Sequence, residues 1–189
     1  MSNKVRYGLR SVYYAIATDD GAGNLTYQSP QPWPGAVSLS LQPSGTVANF
    51  YADNTVYFAV DADMGYSGDL ETALIPDAFR KDVLGETLDA KGFYVERSSD
   101  KRKEFALLFQ FEGDEHATRH CLYKCSATRP NLEGQTVEDQ IEPKTETITI
   151  TAAPRANDEV VKARAPYTSS TTSSYQLWFT AVQEPTPVV

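Results

Sequence analysis

The chain has 189 residues, 41% of them hydrophobic and 22% charged, enough for a single domain with its own core and too apolar for a disordered one. A formal net charge of −8 argues against a protein that grips duplex DNA or an anionic membrane through a basic surface. No apolar run approaches the ~20 residues that cross a bilayer, and the opening MSNKVRYGLRSVYYAIA lacks a signal peptide's long apolar stretch and cleavage site, so folding in a cytoplasm is expected.

Val12 to Ala17 reads as a first strand, closed by the turn cluster Asp19-Asp20-Gly21-Ala22-Gly23-Asn24. Pro30, Pro32 and Pro34, with Tyr27 and Trp33 among them, mark an ordered loop or an edge, since proline cannot donate to a central ladder. Val37, Leu39 and Leu41 alternate with Ser38, Ser40 and Gln42 as a half-buried strand. After a turn at Pro43-Ser44-Gly45, a second run covers Thr46 to Tyr51. The tip Ala52-Asp53-Asn54 leads to a third, with Val56, Phe58 and Val60 on one face. Such tight spacing implies antiparallel neighbours.

Residues 66–85 hold the best-marked helix. A strand comes first, with Tyr66, Leu70, Thr72 and Leu74 alternating with Ser67, Asp69, Glu71 and Ala73. Pro76 then fits a first helical turn, and Ile75, Phe79 and Val83 fall at i, i+4 and i+8, with Leu84 widening the stripe. Asp77 near the start and Arg80 and Lys81 further along suit the helix dipole, and Gly85 can end the helix in the left-handed conformation.

Thr87 to Ser98 reads as an irregular connection carrying a short strand at Phe93-Tyr94-Val95. Phe105, Leu107, Phe109 and Phe111 form one face of the most apolar strand, placed centrally. Residues 117–128 return beside it. Arg129 to Lys144 is a long polar segment. Residues 145–151 alternate strictly, Thr145, Thr147, Thr149 and Thr151 against Glu146, Ile148 and Ile150, and 157–164 adds an edge. A polar Ser/Thr linker then precedes Tyr175, Trp178, Phe179 and Val182, spaced i, i+3, i+4 and i+7 as on a short C-terminal helix. The expected architecture is mainly β: a β-sandwich or strongly curved antiparallel sheets with one flanking α-helix. Residues 1–166 form the domain, and 167–189 a polar linker with a C-terminal apolar arm.

Chemistry is sparse. Cys121 and Cys125 lie four apart on a strand, on one face but about 13 Å from each other, whereas a disulfide needs Cα atoms within about 7 Å; they read as buried or half-buried thiols. His116 and His120 are spread along the same strand, so zinc is rejected. Asp61-Ala-Asp63 and Asp69-Leu-Glu71 are acid pairs that a glycosidase could use, although on a strand such pairs more often form a solvated face. With no Ser-His-Asp or Cys-His signature and no phosphate-binding glycine loop, neither catalysis nor a metal or cofactor is expected.

Several blocks, in order, carry a family likeness. They include KVRYGLRSVYYA at 4–15, PWPGAVSLSL at 32–41, FYADNTVYF at 50–58, GYSGDLETALIPDAF at 65–79 and VLGETLDA at 83–90. They continue with FALLFQFEGD at 105–114, ATRHCLYKCSATRP at 117–130 and TETITITAAPR at 145–155. Over nearly its whole length the chain resembles the major tail proteins, or tail-tube proteins, of long-tailed siphophages and prophages of Gram-positive bacteria. That resemblance implies a virion subunit made in the host cytoplasm. It implies a β-sandwich with a flanking helix whose copies close into rings, usually hexameric, and stack into a hollow tube. Its partners would be further copies of itself and other tail proteins such as tape measure, tail terminator and distal tail proteins. DNA would pass through the lumen without specific binding, and no membrane would be involved.

Two sets of residues follow as candidates. Asp61, Asp63, Asp69 and Glu71 would line the lumen, where carboxylates repel phosphates and let DNA slide; the plainer reading is a solvated outer face. Asp53 and Asn54 at the hairpin tip, Arg129, Asn131 and Glu133 in the polar loop, and Tyr175, Trp178 and Phe179 in the arm would make intersubunit contacts. For the arm, the alternative is packing on its own domain. The rival function is an Ig-like or carbohydrate-binding β-sandwich module, with Tyr27, Trp33, Tyr66 and Trp178 as a sugar-stacking platform.

Overall fold

The structure is a computed structural model describing residues 3–134, 136, 144–168 and 171–186, with the side chains of 47, 48 and 60–62 outside that set. It is mainly β, as expected. Eleven strands are present among the described residues: β1 (Arg6–Asp19), β2 (Leu25–Tyr27), β3 (Gln31–Pro32), β4 (Ala36–Ala52), β5 (Thr55–Thr72), β6 (Thr87–Leu88), β7 (Tyr94–Val95), β8 (Phe105–Gly113), β9 (Thr118–Ala127), β10 (Glu146–Ala152) and β11 (Lys162–Ala165). The main sheet runs β2-β1-β8-β9-β10-β5-β4, with β3 against β1 and β11 against β9, and every one of these pairs is antiparallel.

One short stretch curls this sheet on itself. Pro32 pairs with Tyr13, and the Trp33 amide donates to the Val12 carbonyl at 2.8 Å. Three residues later Ala36 pairs with Thr72, and the Ala73 amide donates to the Gly35 carbonyl at 2.7 Å. Both ends of the sheet therefore bond to residues 31–36, and its two halves face each other like sandwich layers. Tyr14, Phe105, Leu107 and Leu122 from one half meet Leu70, Ile148 and Ile150 from the other in a single core. Apolar area hidden in this way is the main stabilising term.

The helical segment closes that core. It starts as α1 (Asp77–Phe79) and continues as a wide π-turn over Arg80–Leu84, ended by Gly85 at φ 89°. The expected stripe is buried: Ile75, Phe79, Val83 and Leu84 all lie inside. Its geometry differs from the regular helix expected. The wide turn lets the adjacent residues Val83 and Leu84 both face the core, where a regular helix would rotate one of them away. Phe79 meets Tyr14 edge-on at 5.0 Å and Phe105 at 5.2 Å, and its ring lies 4.3 Å from Trp33.

Three other expectations are corrected. Pro43-Ser44-Gly45 is a bulge rather than a turn, so the runs at 37–42 and 46–51 are one strand. β4 is an edge strand, where a residue without an N–H is tolerated. The runs at 56–60 and 66–72 likewise join as β5, bent at Gly65, whose φ is +102°. A Cβ there would lie 2.0 Å from the Ala152 carbonyl oxygen, so only glycine fits. Finally, the free, buried Cys121 and Cys125 do not share a face: Cys121 packs on the outer side of the sheet and Cys125 in the core. A register shift between Phe105 and Leu107 in the β8–β9 ladder breaks the simple alternation.

The outer face of β1, β8 and β9 carries a second apolar layer of Ala15, Ala106, Leu108, Cys121 and Tyr123. It is covered by α2 (Thr172–Gln176) and the turns that follow, which begin earlier than the helix expected at 175–182.

Candidate functional site

The face of β5 that points away from the core is built from carboxylates and hydroxyls in register. Glu71 stands between Ser38 on β4 and Thr147 on β10, Asp69 between Ser40 and Thr149, and Ser67 between Gln42 and Thr151. The strict alternation of these strands sends their leucines and isoleucines inward and this set outward. Glu71 accepts the Ser38 hydroxyl at 2.8 Å and the Thr145 hydroxyl at 2.7 Å; Asp69 accepts the Thr149 hydroxyl at 2.7 Å. The Thr145 and then the Ser38 hydroxyl hold the Glu71 carboxyl below the usual carboxylate range. Such a group stays charged and is ill suited to donate a proton. No Lys or Arg occurs in β4, β5 or β10.

Of the four acids proposed for the lumen, the structure thus sets Asp69 and Glu71 side by side. Asp63 lies further along β5, exposed, its carboxylate accepting the Gly65 amide at 2.9 Å. The backbone of Asp61 pairs with Val47; its side chain lies outside the described residues.

The hairpin β4–β5 is longer than the sheet it belongs to. β10 accompanies β5 only from Tyr66 to Thr72. Beyond that point each strand has only the other as partner among the described residues, and the pair runs on as a two-stranded arm. Asp53 and Asn54 form its tip with φ of 51° and 61°, the left-handed pair of a tight hairpin turn. Phe50 faces Phe58 across the arm, 62% and 60% exposed, and Tyr57 is 72% exposed. Large rings this open on both strands lack cover among the described residues.

The remaining candidates are scattered. Arg129 pairs with Glu96 at 2.8 Å and donates to the Arg97 carbonyl. Asn131 and Glu133 are exposed, and residues 135 and 137–143 of the same loop lie outside the described residues. Tyr175, Trp178 and Phe179 pack on their own chain. The Tyr175 hydroxyl donates to the Ala117 carbonyl at 2.9 Å, the Trp178 indole to the His120 carbonyl at 3.2 Å, and Phe179 stacks on Tyr13 at 4.8 Å. Arg119, which no sequence motif singles out, holds them. Its guanidinium lies 3.8 Å from the Tyr175 ring centre and 4.9 Å from that of Phe179, and donates to the Tyr175 carbonyl.

The sugar platform does not form, because Trp33 and Trp178 are buried. Among the described residues no three His, Cys, Asp or Glu side chains gather as metal ligands, and no helix is long and apolar enough to cross a membrane. No protein-family model matches the chain, and no curated protein matches it in sequence.

Proposed function

We propose that this chain is a structural subunit of a phage tail tube, whose copies close into stacked rings around a channel that passes DNA. The observation that carries the reading is the arm: a two-stranded extension whose aromatic rings and outer edges have no cover or partner among the described residues, and a second copy is the partner a ring supplies. The resemblance of several sequence blocks to tail-tube proteins supports the same reading. The cation-free face of β4, β5 and β10 suits a channel wall. Its carboxylates repel phosphate, and its hydroxyls fix them in place without offering a charge that would hold DNA.

Negative-stain microscopy of the purified protein over a range of concentrations tests this. Rings or tubes that appear as concentration rises are the expected result. A persistent monomer at every concentration overturns it, and glycan binding by that monomer would favour the module reading instead.

A further inference from the structure

A fork in the sheet opens a second site on the far side from the acidic face. β10 leaves β9 after three pairs, Ile150 to Ala152, and β11 takes over the same edge. This sets Lys162 opposite Leu122 and Arg164 opposite His120. Beneath the fork lies a recess of about 190 Å³ floored by Leu39, Leu41, Phe109 and Leu122. It adjoins an outer cleft of about 420 Å³ between Lys4, Arg6, Lys162 and Arg164. Arg6, His120 and Lys162 line both, and among the described residues no Asp or Glu lines either.

The charges here are unspent. Arg6, Lys162 and Arg164 form no ion pair among the described residues, although the chain carries a net charge of −8. Arg6 is held over the Phe111 ring at 4.8 Å. Lys162 lies over the Tyr66 ring at 4.1 Å and donates to its hydroxyl at 2.7 Å. Between them His120 is stacked on Phe109 at 5.2 Å and is only 7% exposed, yet its Nε2 has no hydrogen-bond partner among the described residues. A buried nitrogen without a partner is rare enough to need a reason, and like charges gathered without counter-charge raise the local potential for an anion.

We infer that this mouth binds a small carboxylate carried on an apolar body, the body filling the inner recess and the carboxylate lying between Arg6, Lys162 and the Nε2–H of His120. The recess has the volume of about six waters, which suits a short acyl chain or one ring. A bare inorganic anion would satisfy the rim and leave the leucine and phenylalanine floor wet. Two sources could present this chemistry: a free small acid, or the Asp53 carboxylate on the aromatic arm of a second copy. The site itself does not depend on the tube reading.

The test is an NMR titration of the whole protein with hexanoate, reading the His120 ring and the Leu39 and Leu41 methyl groups. Saturable shifts at all three are expected. Hexanol, which lacks the charge, and inorganic phosphate, which lacks the body, should each bind at least tenfold more weakly. The double variant Arg6→Gln/Lys162→Gln should lose at least tenfold in hexanoate affinity with its melting temperature unchanged. Absence of saturable shifts, phosphate binding as tightly as hexanoate, or an unaffected double variant would each overturn the assignment. A peptide of residues 49–58 that displaces hexanoate would identify the second copy as the source. A peptide that fails to displace it leaves the free acid, and the site stands either way.

Discussion

The indole nitrogen of Trp33 donates to the Thr72 hydroxyl at 3.2 Å in a buried setting, bridging the seam at which the sheet closes on itself. The same hydroxyl lies 3.2 Å from the carbonyls of Gly35 and Leu74, so one threonine serves the connection into β4 and the exit from β5. Trp33→Ala removes the ring packed on Phe79 as well as this bond, and should cost about 3–5 kcal/mol. Thr72→Val keeps the shape and strands the indole, for about 1–3 kcal/mol. Urea midpoints measure both. A loss below 1 kcal/mol for the tryptophan change would show that the seam contributes little.

The arm should be separable from the fold. Phe50→Ser and Phe58→Ser alter exposed rings with no cover among the described residues, so monomer stability should move by no more than about 0.5 kcal/mol. Assembly should fail. Thermal melts beside sedimentation velocity give both readings, and tubes formed normally by the double variant would remove the arm from the joint.

On the acidic face, Asp69→Lys with Glu71→Lys should convert a wall that repels DNA into one that holds it. Tubes of the variant should retain short duplex DNA at low salt and release it steeply as salt rises, while wild-type tubes retain none. Equal behaviour of the two would place this face away from the channel.

His120 gives the fold a pH dependence. Burial first, then the charges of Lys162, Arg6 and Arg164, pushes its pKa down to about 4 from the usual 6.5. Tyr66 is the other titratable group lining that recess, and no carboxylate among the described residues lines it. The unfolded chain takes up the proton first, so stability falls as pH drops from 6.5 to about 4. His120→Phe, which keeps the stack on Phe109, should flatten that slope in melts taken between these limits; an unchanged slope would assign it to other groups.

The C-terminal cover is tested through a thiol. Trp178 seals the outer layer above Cys121, and Trp178→Ala should cost about 3–5 kcal/mol. It should also make Cys121 react with a thiol reagent well before Cys125, which lies in the other core. Simultaneous reaction of both would mean global unfolding rather than a lifted cover.

Period-two alternation was enough to read the strand at 145–151 and the central place of β8, and helical spacing the inward stripe at Ile75, Phe79 and Val83, because burial imposes each period locally. The Asp53-Asn54 tip was legible for a similar reason: few residues accept a positive φ twice in succession. The length of the arm was not. Pro43 and Gly65 carry the same signals whether they end a strand or bend one, and only the partner strand decides. The basic mouth was invisible, since Arg6 and Lys162 meet through the pairing of β1 with β8, β8 with β9 and β9 with β11, which no local pattern encodes. Arg119 escaped notice likewise, since Tyr175, the arm residue it bonds, lies 56 residues along the chain.

Trp178 seals a layer built around residue 120, across a sequence separation of 58. During synthesis the strands beneath must therefore wait, their oily side bare, until the distant segment emerges and swings back. Contacts between such remote parts form slowly, and in a crowded cell full of identical half-made neighbours that delay is the interval in which a chaperone would matter most.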